Sequence, residues 1–309
     1  MGAGVDVALA RFVDESALAH VDETRSYFEA RQAAGGQLGP TNYDELLVAR
    51  DALPPGPTKS RAVEYLARSG AREVPVRVTS PSSGASRAIY LDIHGGGFFM
   101  DSAARGDDRN AAIADALDVT VVSVDYRLAP EQPWPAAPDD CETAALWLMG
   151  EGRERFGTDQ FVVRGASAGA TLAMTTLMRL RDRDAVATCR GAVLLFGAYD
   201  LSGRTPGGAP YGHEWFIRSY AGHVEDRSVP DVSPLFGDLH GLPPTLLAVG
   251  TRDVLLEDNL AMAARLSAAG NEVDLRVYPE AMHGFTSHPT TMATEALRQV
   301  GEWIDRRLI

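Results

Sequence analysis

The chain is predicted to fold as an α/β protein, a mostly parallel central sheet covered by helices on both faces. Apolar strand-like runs alternate with helical patterns along most of its length. Two glycine-bracketed turns, His94-Gly95-Gly96-Gly97 and Gly165-Ala166-Ser167-Ala168-Gly169, each follow directly on an apolar run. A length of 309 residues with 45% hydrophobic content is enough for one large core.

In chain order, residues 1–45 read as a helical, charged segment. Strands are expected at 74–78, 88–93, 119–126, 161–164, 192–196, 245–249 and 273–278, where Val, Ile, Leu and Tyr dominate. Apolar residues at helical spacing cover 105–117, 138–150, 168–181, 256–269 and 292–307. After a first hairpin the two kinds of element alternate, which requires parallel pairing through helical crossovers. Residues 200–231, rich in Gly, Pro and aromatics, break that alternation between two core strands, and so long a stretch between strands is usually functional.

The glycine turns carry chemistry. From composition alone a G-x-S-x-G arises in roughly one chain of this size in seven and an H-G-G-G in about one in a hundred, so the pair is informative where the first alone is not. Ser167 would sit on a sharp strand-to-helix turn in a strained backbone conformation, and Gly165 and Gly169 remove side chains that would collide there. The loop Gly95-Gly96-Gly97 can turn backbone N–H groups toward a ligand, as stabilisation of a developing oxyanion demands.

A serine hydroxyl is a poor nucleophile unless a base and an orienting acid assist it, and on such an elbow they follow in the order serine, acid, histidine. Asp253 lies just past the strand at 245–249, and His283 lies in the loop after 273–278. Both positions are at carboxyl ends of strands, where ligands bind in open α/β sheets. Among competitors, Glu257 and Asp258 fall in the first turn of the next helix, where acids are commonly solvated. His240 precedes the acid and breaks the order, His213 and His223 fall in the polar insertion, and His288, followed by Pro289, reads as a surface residue.

The run Asp125-Tyr126-Arg127-Leu128-Ala129-Pro130-Glu131, then Pro133-Trp134-Pro135-Ala136 and Asp139-Asp140, completes a recognisable set. With H-G-G-G, the elbow, Asp253 and His283-Gly284-Phe285, residues 70–309 resemble the hormone-sensitive-lipase-like family of α/β-hydrolases, the bacterial family IV esterases. The resemblance implies the α/β-hydrolase fold and a serine carboxylesterase acting on short acyl chains, with Ser167, Asp253 and His283 as triad. Gly96, Gly97 and Ala168 match the oxyanion donors and Gly95 completes that loop. Residues 1–45 and 200–231 would form a cap over a core of 46–199 and 232–309. Phe98, Phe99, Met100, Tyr211, Trp215, Phe216 and Tyr220 would then be candidates for pocket walls or cap core. The family also suggests a homodimer through a sheet edge. Three positions depart from its pattern: Ala166 before the nucleophile, Ala170 after the elbow and Val254 after the acid. They bear on subgroup and substrate range, since none touches a catalytic side chain.

Two other functions are weighed against this one. The same machinery cleaves amides once the leaving amine is protonated, so an amidase such as an arylformamidase is the alternative enzyme. Plant gibberellin receptors resemble the family but lack the histidine, whereas here His283 is present. A formal charge of −13 argues against nucleic acid as partner and offers no basic patch for an anionic membrane. The expected partner is a small-molecule ester, with no cofactor and no metal, because no residues have metal-ligand spacing. Cys141 and Cys189 read as small buried hydrophobes. The start, Met1-Gly2-Ala3-Gly4-Val5-Asp6, has neither the positive nor the apolar region of a secretory signal, and no run reaches membrane-spanning length, so a cytoplasmic protein is expected.

Overall fold

A computed structural model describes residues 9–34, 39–212 and 214–308. Three helices come first: α1 (Glu15–Leu18), α2 (Val21–Ala33) and α3 (Tyr43–Asp51). A hairpin of β1 (Val63–Ser69) and β2 (Arg72–Thr79) leads into the alternating part. That part runs β3 (Ala88–Ile93), α4 (Asp107–Leu117), β4 (Val119–Val124), α5 (Ala136–Phe156), β5 (Phe161–Ala166), α6 (Ala168–Arg181) and β6 (Cys189–Leu195). It ends with α7 (Trp215–Ala221), β7 (Thr245–Gly250), α8 (Leu256–Ala268), β8 (Val273–Tyr278) and α9 (Thr291–Arg307).

The eight strands form one sheet in the order β1-β2-β4-β3-β5-β6-β7-β8. β2 pairs antiparallel with β1 and β4, and every other pair is parallel. This is the predicted α/β-hydrolase sheet. Along β3, Ile89, Leu91 and Ile93 enter the core shared with α5, α6 and α8, while Ala88 and Tyr90 enter the one shared with α4 and α9. The twofold alternation of a strand buried on both faces explains why β3, β4 and β7 are apolar nearly throughout.

Two elements differ from the sequence expectation. β1 has no apolar alternation to reveal it, because it is an edge strand in which only Ala67 is fully buried. Its pairing is set by the two-residue loop Gly70-Ala71, where Gly70 has φ +60°. Helix α5 continues past Gly150 to Phe156. A Cβ on Gly152 would come 2.9 Å from Ile89 Cδ1 and 3.1 Å from the Thr158 carbonyl oxygen, so the helix passes close to its neighbours there. The helix stops at Gly157, whose φ of 77° provides the left-handed cap.

Candidate active site

Ser167 caps the start of α6 with φ 53° and ψ −123°, a strained conformation for a residue with a side chain. The turn exists because two glycines face each other across it. A Cβ on Gly165 would stand 2.1 Å from the Gly169 carbonyl oxygen, and one on Gly169 would stand 2.2 Å from that of Ile93. The Ser167 N–H donates to the Leu195 carbonyl at 2.8 Å, tying the nucleophile loop to β6.

The loop after β3 approaches from the other side. Gly96 has φ 100°, and a Cβ there would meet the Met100 carbonyl oxygen at 2.2 Å, so the turn admits only glycine. Among the described residues no backbone carbonyl engages the amides of Gly96, Gly97 or Ala168. The block beginning at Asp125 has a structural reason. The Tyr126 hydroxyl donates to the carbonyls of His94 at 3.0 Å and Gly95 at 3.1 Å, and its ring stacks on His94 with centroids 4.1 Å apart. His94 also bonds the Gly95 carbonyl through Nδ1 at 2.8 Å, and burial lowers its pKa, keeping the ring neutral. Arg127 chelates Asp140 on α5, and Arg179 on α6 gathers Asp139, Glu142 and Asp231.

Asp253 and His283 reach Ser167 from β7 and β8. Ser167 Oγ lies 2.9 Å from His283 Nε2, and His283 Nδ1 lies 3.0 Å from Asp253 Oδ2 and 3.1 Å from Oδ1. The Asp253 carboxylate is fully buried, accepts the Leu255 N–H at 2.8 Å, and so points one way. The Phe196 ring packs edge-on against His283 at 5.2 Å. A hydroxyl on imidazole on buried carboxylate can pass a proton from the serine as its oxygen attacks a carbonyl.

The competing residues lie elsewhere. His240 pairs with Asp238 on the surface, and exposed His223 sits beside Trp134. His288 is half-buried against Tyr27 and Phe28, so it is no free surface residue. His213 lies outside the described residues. Glu257 is exposed, but Asp258 is fully buried, contrary to the solvated first-turn position expected for it. It accepts the Tyr211 hydroxyl at 2.6 Å together with the Tyr199 and Asp200 N–H groups. Burial raises its pKa to about 6.

A cavity of about 450 Å³ contains the site and is lined by Gly95, Gly96, Gly97, Phe98, Phe99, Ser167, Ala168, Tyr211, Phe216 and His283. A second cavity, of about 720 Å³, shares Phe99, Tyr211, Phe216, Val254 and His283 and extends to Trp215, Phe28 and Arg31. Phe98 and Tyr220 are mainly core, buried and stacked on each other at 4.0 Å. Two positioning groups escape sequence reasoning. Arg50 of α3 donates to the carbonyls of Phe99 and Ala129, each at 2.8 Å, and pairs with Glu131. The division at residue 45 thus falls inside a helix that grips the loop after β3. The other is the Tyr211–Asp258 contact, which no motif announces. Cys141 and Cys189 are buried and unpaired, and among the described residues no cluster of His, Cys, Asp and Glu could hold a metal. No helix of the described residues is long and apolar enough to cross a membrane.

Comparison with known proteins gives the family. A family described by the α/β-hydrolase fold matches residues 90–287. Carboxylic ester hydrolase LipN of Mycobacterium tuberculosis is 32% identical over 248 residues, 75% of this chain and 66% of that protein, just under two thirds of its length. Ethyl acetate hydrolase of Pseudomonas putida is 32% identical over 250 residues, 73% of this chain and 78% of that one. The crystal structure of a hormone-sensitive-lipase homologue, EstE7, from a metagenome library superposes with a TM-score of 0.77 at 27% identity, covering 93% of this chain and 99% of that one. The chain belongs to the α/β-hydrolase fold family, in its hormone-sensitive-lipase-like branch of carboxylic ester hydrolases.

Proposed function

We propose that the protein hydrolyses short-chain carboxylic esters through an acyl-enzyme, with Ser167 as nucleophile, His283 as base and acid, and Asp253 as its orienting partner. One observation carries the reading: the Ser167–His283–Asp253 chain of contacts at 2.9 and 3.0 Å opens into the cavity that Gly96, Gly97 and Ala168 line. Neutral His283 accepts the serine proton as Oγ adds to the ester carbonyl. The amides of Gly96, Gly97 and Ala168 receive the oxyanion. Collapse expels the alcohol, which takes the proton from His283, and water repeats the cycle to free the acid and restore Ser167.

A small cavity walled by Phe99, Tyr211 and Phe216 supports short acyl groups, as does the similarity to an ethyl acetate hydrolase. Residues 1–45 and 200–231 act as a cap in this reading, supported by the contributions of Phe28, Arg31, Trp215 and Phe216 to the second cavity. The natural partner is a small-molecule ester met in the cytoplasm.

The test is colour release from p-nitrophenyl acetate, butyrate and octanoate by the native chain and by Ser167→Ala. Hydrolysis strongest on the shorter esters and abolished in the variant is the expected result. Equal rates in the two chains overturn the proposal.

A further inference from the structure

Below the nucleophile, the α4–α9 face of the sheet carries a charge cluster that ester cleavage does not use, buried at Asp92 and Arg164 and open to solvent at Arg109. Asp92 of β3 and Arg164 of β5 are direct cross-strand partners. Asp92 is fully buried, and the Arg164 side chain is 7% exposed, with Nη1 3.0 Å from Asp92 Oδ1. Arg109 of α4 places Nη2 2.6 Å from Oδ2 of the same carboxylate, which Ser123 and Asn110 also contact. The next charges outward, Asp101 and Arg105, pair with each other at 3.0 Å. Two guanidinium groups therefore share one carboxylate, and the cluster keeps a positive charge.

Among the described residues Asp92 is the only acceptor Arg164 finds, so most of its N–H donors are unspent. Both arginines line the cavity that contains Ser167 and His283. They also line a mainly apolar cavity of about 490 Å³ between α4 and α9. A strand rise of about 3.3 Å per residue sets Arg164 roughly 10 Å from the nucleophile along β5, within reach of a short substrate tail once the arginine side chain is extended.

We infer that Arg164 and Arg109 form an anion subsite that receives a carboxylate carried by the ester, which makes half-esters of dicarboxylic acids, or esters of hydroxy acids, favoured substrates. The inference rests on the esterase reading and adds to it a substrate class. The guanidinium fork suits a carboxylate because it offers two parallel donors, and the burial of Arg164 limits competing water on its side of the subsite.

The test compares monoethyl glutarate with its uncharged isostere ethyl 5-methylhexanoate, and the butyrate ester of 4-hydroxybutyrate with 4-methylpentyl butyrate. The two pairs separate an acyl-side from an alcohol-side carboxylate. In the native chain the charged member of one pair should show a kcat/KM about tenfold higher, mostly through KM, as one charge-assisted contact implies. Arg109→Met should remove that preference while changing the neutral esters less than about threefold, and Arg109→Lys should restore part of it. Arg109 is the variant of choice because Asp92 keeps Arg164 as partner and Arg109 itself is partly exposed. No preference in either pair, or an equal fall for charged and neutral esters in Arg109→Met, overturns the subsite. If no ester is cleaved at all, the esterase reading fails, and calorimetry decides the subsite separately. Glutarate heat in Ser167→Ala that disappears on adding Arg109→Met supports it, and no heat in either chain refutes it.

Discussion

Replacing Tyr126 by Phe tests how the oxyanion loop is held. The hydroxyl proton is shared between the carbonyls of His94 and Gly95 at 3.0 and 3.1 Å, while the ring stacks on His94. Phe keeps the stacking and loses only the donor. The Gly95 carbonyl retains His94 Nδ1 at 2.8 Å, but among the described residues the His94 carbonyl has no other donor. One buried carbonyl is therefore orphaned, which costs about 1–3 kcal/mol of stability. The same substitution frees the segment that aims the Gly96 and Gly97 amides. Complete loss of one oxyanion donor would cost about 3 kcal/mol in the barrier, and a partial misplacement should cost about half of that, or roughly tenfold in rate. Urea unfolding should show a lower midpoint at unchanged slope. Hydrolysis of p-nitrophenyl butyrate should show a loss mainly in kcat, because in the proposed mechanism the amides act in the transition state. Reduced stability with an unchanged kcat would falsify the claim that Tyr126 positions the loop.

Other substitutions probe the remaining supports. Gly169→Ala puts a methyl carbon 2.2 Å from a backbone oxygen that cannot retreat, so a loss of about 3 kcal/mol or more and poor soluble yield are expected; native-like stability would contradict the close approach. Arg50→Met removes the grip of α3 on the Phe99 and Ala129 carbonyls, and KM should rise several-fold with a smaller change in kcat. Equal loss in both parameters would place Arg50 closer to the chemistry than the geometry allows. Asp258, raised from 3.8 to about 6 by burial, binds its proton more tightly in the folded chain than in the unfolded one. Its contribution to stability therefore falls as pH rises from about 4 to about 6, by up to about 3 kcal/mol, and is constant above that window. In Asp258→Asn this component should vanish from the difference in urea midpoint between pH 4 and pH 7; an unchanged difference would mean that the carboxyl titrates normally.

The features legible in the sequence are those where backbone geometry admits few residues. Gly165 and Gly169 could be read as a close crossing because no side chain fits between the two backbones. Asp253 and His283 are legible because both follow the carboxyl ends of neighbouring parallel strands, β7 and β8, in the order an elbow serine requires. β1 was not visible, since an edge strand with one fully buried residue has no reason to alternate. Asp258 departs from expectation for a related reason: a first-turn acid is solvated only if nothing packs over the helix start, and Tyr211 from the irregular segment does so here. The pocket walls were named in bulk because aromatics in a non-periodic segment carry no face. Phe99 and Phe216 line both cavities, whereas Phe98 touches only the first and stacks on Tyr220 in the core.

The charged residues of the block 125–140 show why a family signature can extend beyond catalytic side chains. Arg127 and Asp140, like Arg179 with Asp139, Glu142 and Asp231, tie the segment that follows β4 to α5, α6 and the 200–231 segment. Such partly buried pairs add little net stability, because desolvation offsets most of their attraction. Breaking one leaves an unpaired charge, so a displaced arrangement is penalised even though the native one gains little. That asymmetry favours one placement of Tyr126 over its neighbours, and Tyr126 in turn holds the His94 and Gly95 carbonyls. The amides that would meet the oxyanion are thus positioned through a sequence of contacts that starts on α5, where Asp140 holds Arg127.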